Sequence, residues 1–216
     1  MGAEADRELL RTWITGWSAC RGYEPHDDGR TTSVLLTDQQ NRTEHFLFEP
    51  TDELLLDVAS ELRQDPLRVL TVVTNRMQAL IDATAPLGTR VTDRRQSLMR
   101  VDMDGQDVED PRPPGDGFAL ERTREGSCRR VTVHADGVLA ARGSVSVVGE
   151  YAVYDRIVTE ERFRRRGLAS YVMRDLTAAV MEDDVTSGLL MASADGRALY
   201  EFLGWQHLAD VFVIRG

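Results

Sequence analysis

The stretch Thr159-Glu160-Glu161-Arg162-Phe163-Arg164-Arg165-Arg166-Gly167-Leu168-Ala169-Ser170 (TEERFRRRGLAS) sets three arginines side by side, in a chain whose formal net charge is -10. Three readings are open: a nucleic-acid patch, a solvated helix start, or the rim of an anion cradle. The flanks help to decide. YAVYDRIV, residues 151–158, reads as a strand. Downstream, Leu168, Val172, Leu176, Ala179 and Val180 recur at intervals of three and four, the mark of a helix with one buried face. The first turn of such a helix leaves backbone N–H groups without partners, and its dipole adds partial positive charge. An anion settles there when glycine and small residues let the backbone approach. Without an anion, each cation at that end costs roughly 0.3–1 kcal/mol at an exposed site. Three in a row therefore favour the cradle.

The rest of the composition narrows the partners. The 216 residues include 26 basic against 36 acidic side chains, a balance that repels polyanions and argues against broad nucleic-acid binding. Every basic residue is arginine; the sequence has no lysine. No run approaches the roughly 20 apolar residues that span a bilayer, so no membrane partner is expected. MGAEADRELLRTW has no apolar run behind a basic segment, so the expectation is a cytoplasmic protein without a signal peptide. Cys20 and Cys128 lack metal-ligand spacing and read as two buried thiols, which suits a reducing compartment. His26, His45, His134 and His207 form no ligand pattern, and no metal is expected.

DMDGQDVEDPRPPGDG, residues 102–117, is rich in Asp, Gly and Pro and reads as an exposed linker. It divides the chain into residues 1–108, a linker at 109–117, and residues 118–216. In the second part, RRVTVHADGVLAARGSVSVV is two alternating runs around Asp136-Gly137, a hairpin signal. After the arginine loop and its helix come a strand at GLLMAS, a helix from Asp195 to about Leu203, and a strand at ADVFVI. In the first part, TTSVLLTDQQNRTEHFLFEP reads as a hairpin, DELLLDVASELR as a helix and LRVLTVVT as a strand. Met77, Leu80, Ile81 and Thr84 line a helix face, and SLMRVDM is a strand. The order hairpin, helix, strand, helix, strand thus occurs twice, behind a leading helix at Leu9 to Trp17. Trp13 and Trp17, at helical spacing, read as core.

Over about residues 118 to 216 the sequence resembles the GNAT N-acetyltransferases. RRRGLA is similar to that family's Arg/Gln-x-x-Gly-x-Gly/Ala loop, with Arg164 first, Gly167 central and Ala169 last. SADGRALYEFLGW is similar to a later signature, Asn-x-x-Ala followed by Leu-Tyr-Glu-x-x-Gly-aromatic, which Leu199, Tyr200, Glu201, Gly204 and Trp205 match. Ser193 stands where Asn is usual and Gly196 where Ala is usual. The resemblance implies an α/β (α+β) fold with a mixed, mostly antiparallel central sheet flanked by helices, in two tandem halves. It implies acetyl-CoA as co-substrate. Its pyrophosphate would lie on Arg164, Arg165, Arg166, Gly167, Leu168, Ala169 and Ser170, chiefly on backbone N–H groups from about Arg165 on. Its pantetheine arm would run along Arg156, Ile157 and Val158, between that strand and GLLMAS, with Ser193 at its edge. Tyr200 would be the general acid for the leaving thiolate, since a phenol near pKa 10 stays protonated where a thiol does not. Packing of a short helix is the plainer alternative for Tyr200. Glu150 and Asp155, flanking the strand, are the candidate bases.

The first half lacks the loop. Glu49-Pro50-Thr51-Asp52-Glu53 stands in its place, with a proline that removes a donor and carboxylates that repel pyrophosphate. It reads as a degenerate copy without cofactor, shaping the acceptor site or mediating association, for instance in a homodimer. The expected function is transfer of an acetyl group from acetyl-CoA to an amine on a small molecule or protein. The alternative is a catalytically silent acetyl-CoA-binding module serving as sensor or assembly part.

Overall fold

The computed structural model of the protein describes residues 5–106, 108 and 111–216. Glu109 and Asp110 of the expected linker lie outside the described residues, as does Asp107. Helix α1 (Arg7–Arg21) is capped by Asp6, whose carboxylate accepts from the Leu9 N–H at 2.7 Å. Strands β1 (Pro25–Asp27), β2 (Thr32–Leu36) and β3 (Arg42–Phe48) follow, then α2 (Asp52–Leu62), β4 (Arg68–Thr74), α3 (Met77–Thr84) and β5 (Arg90–Asp102). The second half holds β6 (Phe118–Glu125), β7 (Cys128–Ala135), β8 (Val138–Val148) and β9 (Tyr151–Thr159). It continues with α4 (Leu168–Val180), β10 (Ser187–Ala192), α5 (Ala194–Phe202) and β11 (Gln206–Arg215). The expected hairpins are β2–β3 and β7–β8, both antiparallel. The short β1 and the mostly exposed β6, which the sequence did not mark, are the two edges of the sheet.

The halves share one eleven-stranded sheet, ordered β1-β2-β3-β4-β11-β5-β10-β9-β8-β7-β6. Most neighbours are antiparallel; β3–β4 and β9–β10 are parallel. The last strands of the two halves are exchanged. β11 lies against β4 of the first half, from Asp210↔Thr74 to Ile214↔Leu70. β5 of the first half lies against β10 of the second, from Ser187↔Asp102 to Ala192↔Ser97.

Side-chain alternation sorts the core onto two faces. On one, α2 and α3 cover Leu70, Val72, Phe212 and Ile214, while α4 and α5 cover Met99, Val101, Ala152 and Tyr154. On the other, α1 alone buries Trp13, Ile14 and Trp17 against residues as far apart in the sheet as Val34 of β2 and Val153 of β9. One helix can meet both only if the sheet curls around it. The approach is close at Gly16, whose carbonyl accepts from Ser146 Oγ at 2.8 Å; a Cβ there would stand 2.5 Å from Val153.

The cysteines correct the sequence reading. They are not free thiols: Cys20, near the end of α1, and Cys128, at the start of β7, form a disulfide with their Cα atoms 5.1 Å apart. Docking of α1 on the second-half strands brings together residues separated by 108 positions. The argument from free thiols to a reducing compartment falls with them. No helix among the described residues is long and apolar enough to cross a membrane. A cross-link closing so long a loop stabilises the fold by about 2–5 kcal/mol. Reduction should therefore lower the thermal midpoint by about 5–15 °C in a chain of this size. Thiol titration of the unreduced, denatured protein is the check, and two reactive thiols per chain would refute the bridge.

Candidate active site

Helix α4 begins at Gly167, its N-cap residue, with φ 78°, in the left-handed region where a Cβ is disfavoured. No side chain caps the turn, and the first helical bond runs from the Tyr171 N–H to the Gly167 carbonyl. The N–H groups of Leu168, Ala169 and Ser170 are thus left for an external acceptor. They face a cavity of about 510 Å³ bounded also by Ile157 and Val158 of β9 and by Arg164 and Arg165. Of the arginine run, Arg166 is not in the cavity wall; its guanidinium lies over the Phe163 ring, 5.5 Å from the centroid.

The cavity continues into a split in the sheet. β9 and β10 pair from Tyr151↔Ser187 to Tyr154↔Leu190 and then separate, while β9 runs on to Thr159. On its other edge β9 carries a register shift against Arg142 and Ser144, where Arg156 takes φ 52°. Beyond the split lies a second cavity of about 360 Å³. Its walls include Trp13, Trp17 and Asp155 from the α1 side and Tyr154 and Leu190 from the other, so it passes through the sheet. Arg156 lines this second cavity rather than the first. Ile157, Ser193 and Tyr200 line both. The expected site residues are brought together there, apart from the outward-leaning Arg166.

Tyr200 is 7% exposed and fixed by its neighbours. Its ring lies 5.9 Å from that of Trp205, whose backbone N–H donates to the Tyr200 carbonyl at 2.9 Å. Burial, and then the negative charge of Asp155, push its hydroxyl up to about 12. Ser193 caps α5, its Oγ accepting from the Gly196 N–H at 3.2 Å, and retains a hydroxyl proton to donate. Gly196 fits the same packing: a Cβ at that position would be 3.0 Å from the Tyr200 ring.

The two candidate bases part company. Glu150 sits before β9, at the end remote from the split, where Thr186 Oγ1 donates to it at 2.8 Å. Asp155 lines the second cavity but accepts two bonds from Arg21, from Nε at 2.7 Å and from Nη2 at 2.8 Å. Sequence reasoning did not single out Arg21, Glu44 or Gln96, which also line this cavity. Glu44 of β3 lines it, accepting from Thr71 Oγ1 at 2.5 Å, and burial raises its carboxyl despite the opposing pull of Thr71 and of Arg21, Arg215 and Arg42. The available signal was phase: Glu44 alternates in step with Phe46, a core residue.

The Arg21 and Asp155 side chains are only 17% and 11% exposed. Removing one partner of such a pair strands the other charge, at a cost of about 3–5 kcal/mol. Arg21→Gln should show that loss in urea unfolding, and Asp155→Asn added to it should recover a large part. Additive losses in the double variant would mean that the two groups act independently.

Comparisons with known proteins agree with this geometry. The model of the FR47-like protein family matches residues 150–213, the span of β9, α4, β10, α5 and most of β11. A Bacillus subtilis (strain 168) protein named "Putative acetyltransferase" is 24% identical over 104 residues, 48% of this chain and 71% of its own length. Among solved structures, a GCN5-related N-acetyltransferase from Kribbella flavida superposes with a TM-score of 0.68 at 13% identity, covering 99% of this chain and 96% of its own. A tandem GNAT protein from the clavulanic acid biosynthesis pathway gives 0.57 at 15% identity, covering 87% and 80%. The residues that build the split, the uncapped turn and Tyr200 fall within the matched span. Residues 150–213 are thus similar to the FR47-like family, and the chain as a whole has the fold of the GCN5-related N-acetyltransferases, a tandem GNAT protein among them.

Proposed function

We propose that the protein transfers an acetyl group from acetyl-CoA to an amine. The observation that carries this reading is the meeting of two cavities at Tyr200, one floored by an uncapped helix N-terminus and the other opening on the opposite face of the sheet. The first suits acetyl-CoA. Leu168, Ala169 and Ser170 offer N–H groups to the pyrophosphate, with Arg164 and Arg165 beside it, and the arm runs along Ile157 and Val158 into the split. The thioester then lies beside Tyr200, and the acceptor arrives from the second cavity.

The ammonium first sheds a proton to water; the neutral nitrogen then bonds to the thioester carbonyl carbon, the C–S bond breaks, and the sulfur leaves as a thiolate. Tyr200, at about 12, is protonated throughout the neutral range and donates a hydrogen bond to that sulfur as charge develops. Against a thiol near 8.5, outright transfer of its proton is opposed by about 5 kcal/mol. The hydroxyl therefore stabilises the thiolate first. Its proton passes over as the newly acylated nitrogen sheds its own, which restores the phenol. Tyr200→Phe should lower turnover by about 10²–10⁴-fold with acetyl-CoA affinity little changed. Unaltered turnover would leave Tyr200 a packing residue; acetyl-CoA binding without transfer to any amine would favour a silent binding module.

The first half, on this reading, holds no second acetyl-CoA. β3 and β4 stay paired from Thr43↔Arg68 through Phe48↔Val73, so no split opens between them. Thr51 caps α2, and Arg76 reaches Asp52 at 3.1 Å and Glu49 at 3.8 Å across the place that the pyrophosphate would need. Calorimetry should give one acetyl-CoA per chain, abolished by Gly167→Glu. A stoichiometry near two would refute the silent half.

A further inference from the structure

We propose that the second cavity is an ammonium-binding site whose anion is Glu44, so that the N-terminal half selects a small cationic amine with an apolar or aromatic body. This rests on reading the neighbouring cavity as the acetyl-CoA site.

The charges around the cavity lead to this assignment. Four charged side chains line it, two of each sign: Arg21, Arg156, Glu44 and Asp155. Arg21 and Asp155 satisfy each other, and Arg156 turns outward to Asp38 at 3.2 Å. Glu44 has no ion pair within 4 Å among the described residues; its hydrogen-bond partner is the neutral hydroxyl of Thr71. A partly buried carboxylate in that position is costly unless a cation or donors compensate it. Arg21, Arg42 and Arg215 lie near enough to favour its charge, yet none bonds to it. An ammonium group in the cavity would complete the pairing.

The other walls suit what such a cation would carry. Trp13 and Trp17 stack with centroids 5.4 Å apart and a 15° tilt, and the Arg21 guanidinium already lies 5.0 Å over the Trp17 ring. Indole faces attract cations and shelter apolar groups. Trp13, 5% exposed, also keeps its Nε1–H buried without an acceptor among the described residues. The volume of about 360 Å³ admits a small molecule.

Phenethylammonium and its uncharged isostere, phenethyl alcohol, are suitable probes for calorimetry on the CoA-loaded protein. The amine should bind at least about tenfold more tightly than the alcohol, as a charge-assisted contact requires. Glu44→Gln, equal in size and still able to accept from Thr71, should weaken the amine by about tenfold or more while CoA affinity holds within about twofold. Glu44→Ala should do the same without leaving a buried amide. Equal binding of amine and alcohol, or of amine by wild type and both variants, overturns the site. So does an absence of amine binding by a wild-type protein that binds CoA. Failure of wild type to bind CoA would instead refute the underlying reading, and the amine titrations repeated without CoA would still test Glu44.

Discussion

Two parallel strands that cease to pair halfway along set the geometry of everything around them. Past Tyr154 and Leu190, the facing edges of β9 and β10 have no strand to bond, and a buried N–H or C=O left so costs about 1–3 kcal/mol. The split survives because each strand is held from its far side. β9 stays paired with β8 as far as Thr159↔Ala141, across one register shift, and β10 stays in register with β5 as far as Ala192↔Ser97. Arg156, with its positive φ, falls at that register shift, and pairing with β8 resumes beyond it at Val158↔Arg142. Polar backbone facing a gap beside an uncapped helix turn is a surface prepared for a long, polar ligand.

One of those two restraints comes from the other half of the sequence. β5 holds β10, and β11 fills the place beside β4 that β5 has left. Eight residue pairs then join β5 to β11, locking the exchange. A half removed from its partner would lose its inserted strand and expose a long unpaired edge, so the first half is part of the machinery even if it binds no cofactor. The curl of the sheet adds a second dependence. It returns the β2–β3 turn to β9, where Asp38 meets Arg156, and it places Glu44 in the cavity that Asp155 also lines.

What could be read from the sequence is what short-range physics dictates. RRRGLA between a strand and an amphipathic helix specifies an anion-ready turn, because Gly167 and the unpaired N–H groups are properties of a few adjacent residues. The two hairpins and the helices covering the cores follow from periodicity in the same way. The strand at SLMRVDM was placed but too short: its first part, from Arg90, is mostly polar and half-exposed and shows no apolar alternation. β1 and β6 lacked the signal for a similar reason, as edges with few buried positions. The partners of β5 and β11, the Cys20–Cys128 bridge and the place of Glu44 depend on contacts between distant segments, on which local patterning is silent. Glu44 came nearest to legibility, as a charge in phase with a core phenylalanine.

Helix α1 joins these dependences. It belongs to the first half in sequence, yet the last six residues of the helix are fastened to the second. Ser146 donates to the Gly16 carbonyl, Arg130 to the Cys20 carbonyl at 2.8 Å, Cys20 is bonded to Cys128, and Arg21 grips Asp155. The side chains of Trp13 and Trp17 meanwhile pack on Phe46 of the first half. The helix therefore sets the spacing between Glu44 and Asp155, the carboxylates that the two halves present to one cavity. Arginine suits this fastening better than lysine. Its planar fork fixes direction as well as distance, and bidentate bonds to Asp155 orient the guanidinium over Trp17. The charge beside the split is thereby held in one place, and the carboxylate without an ion pair among the described residues is Glu44, contributed by the first half.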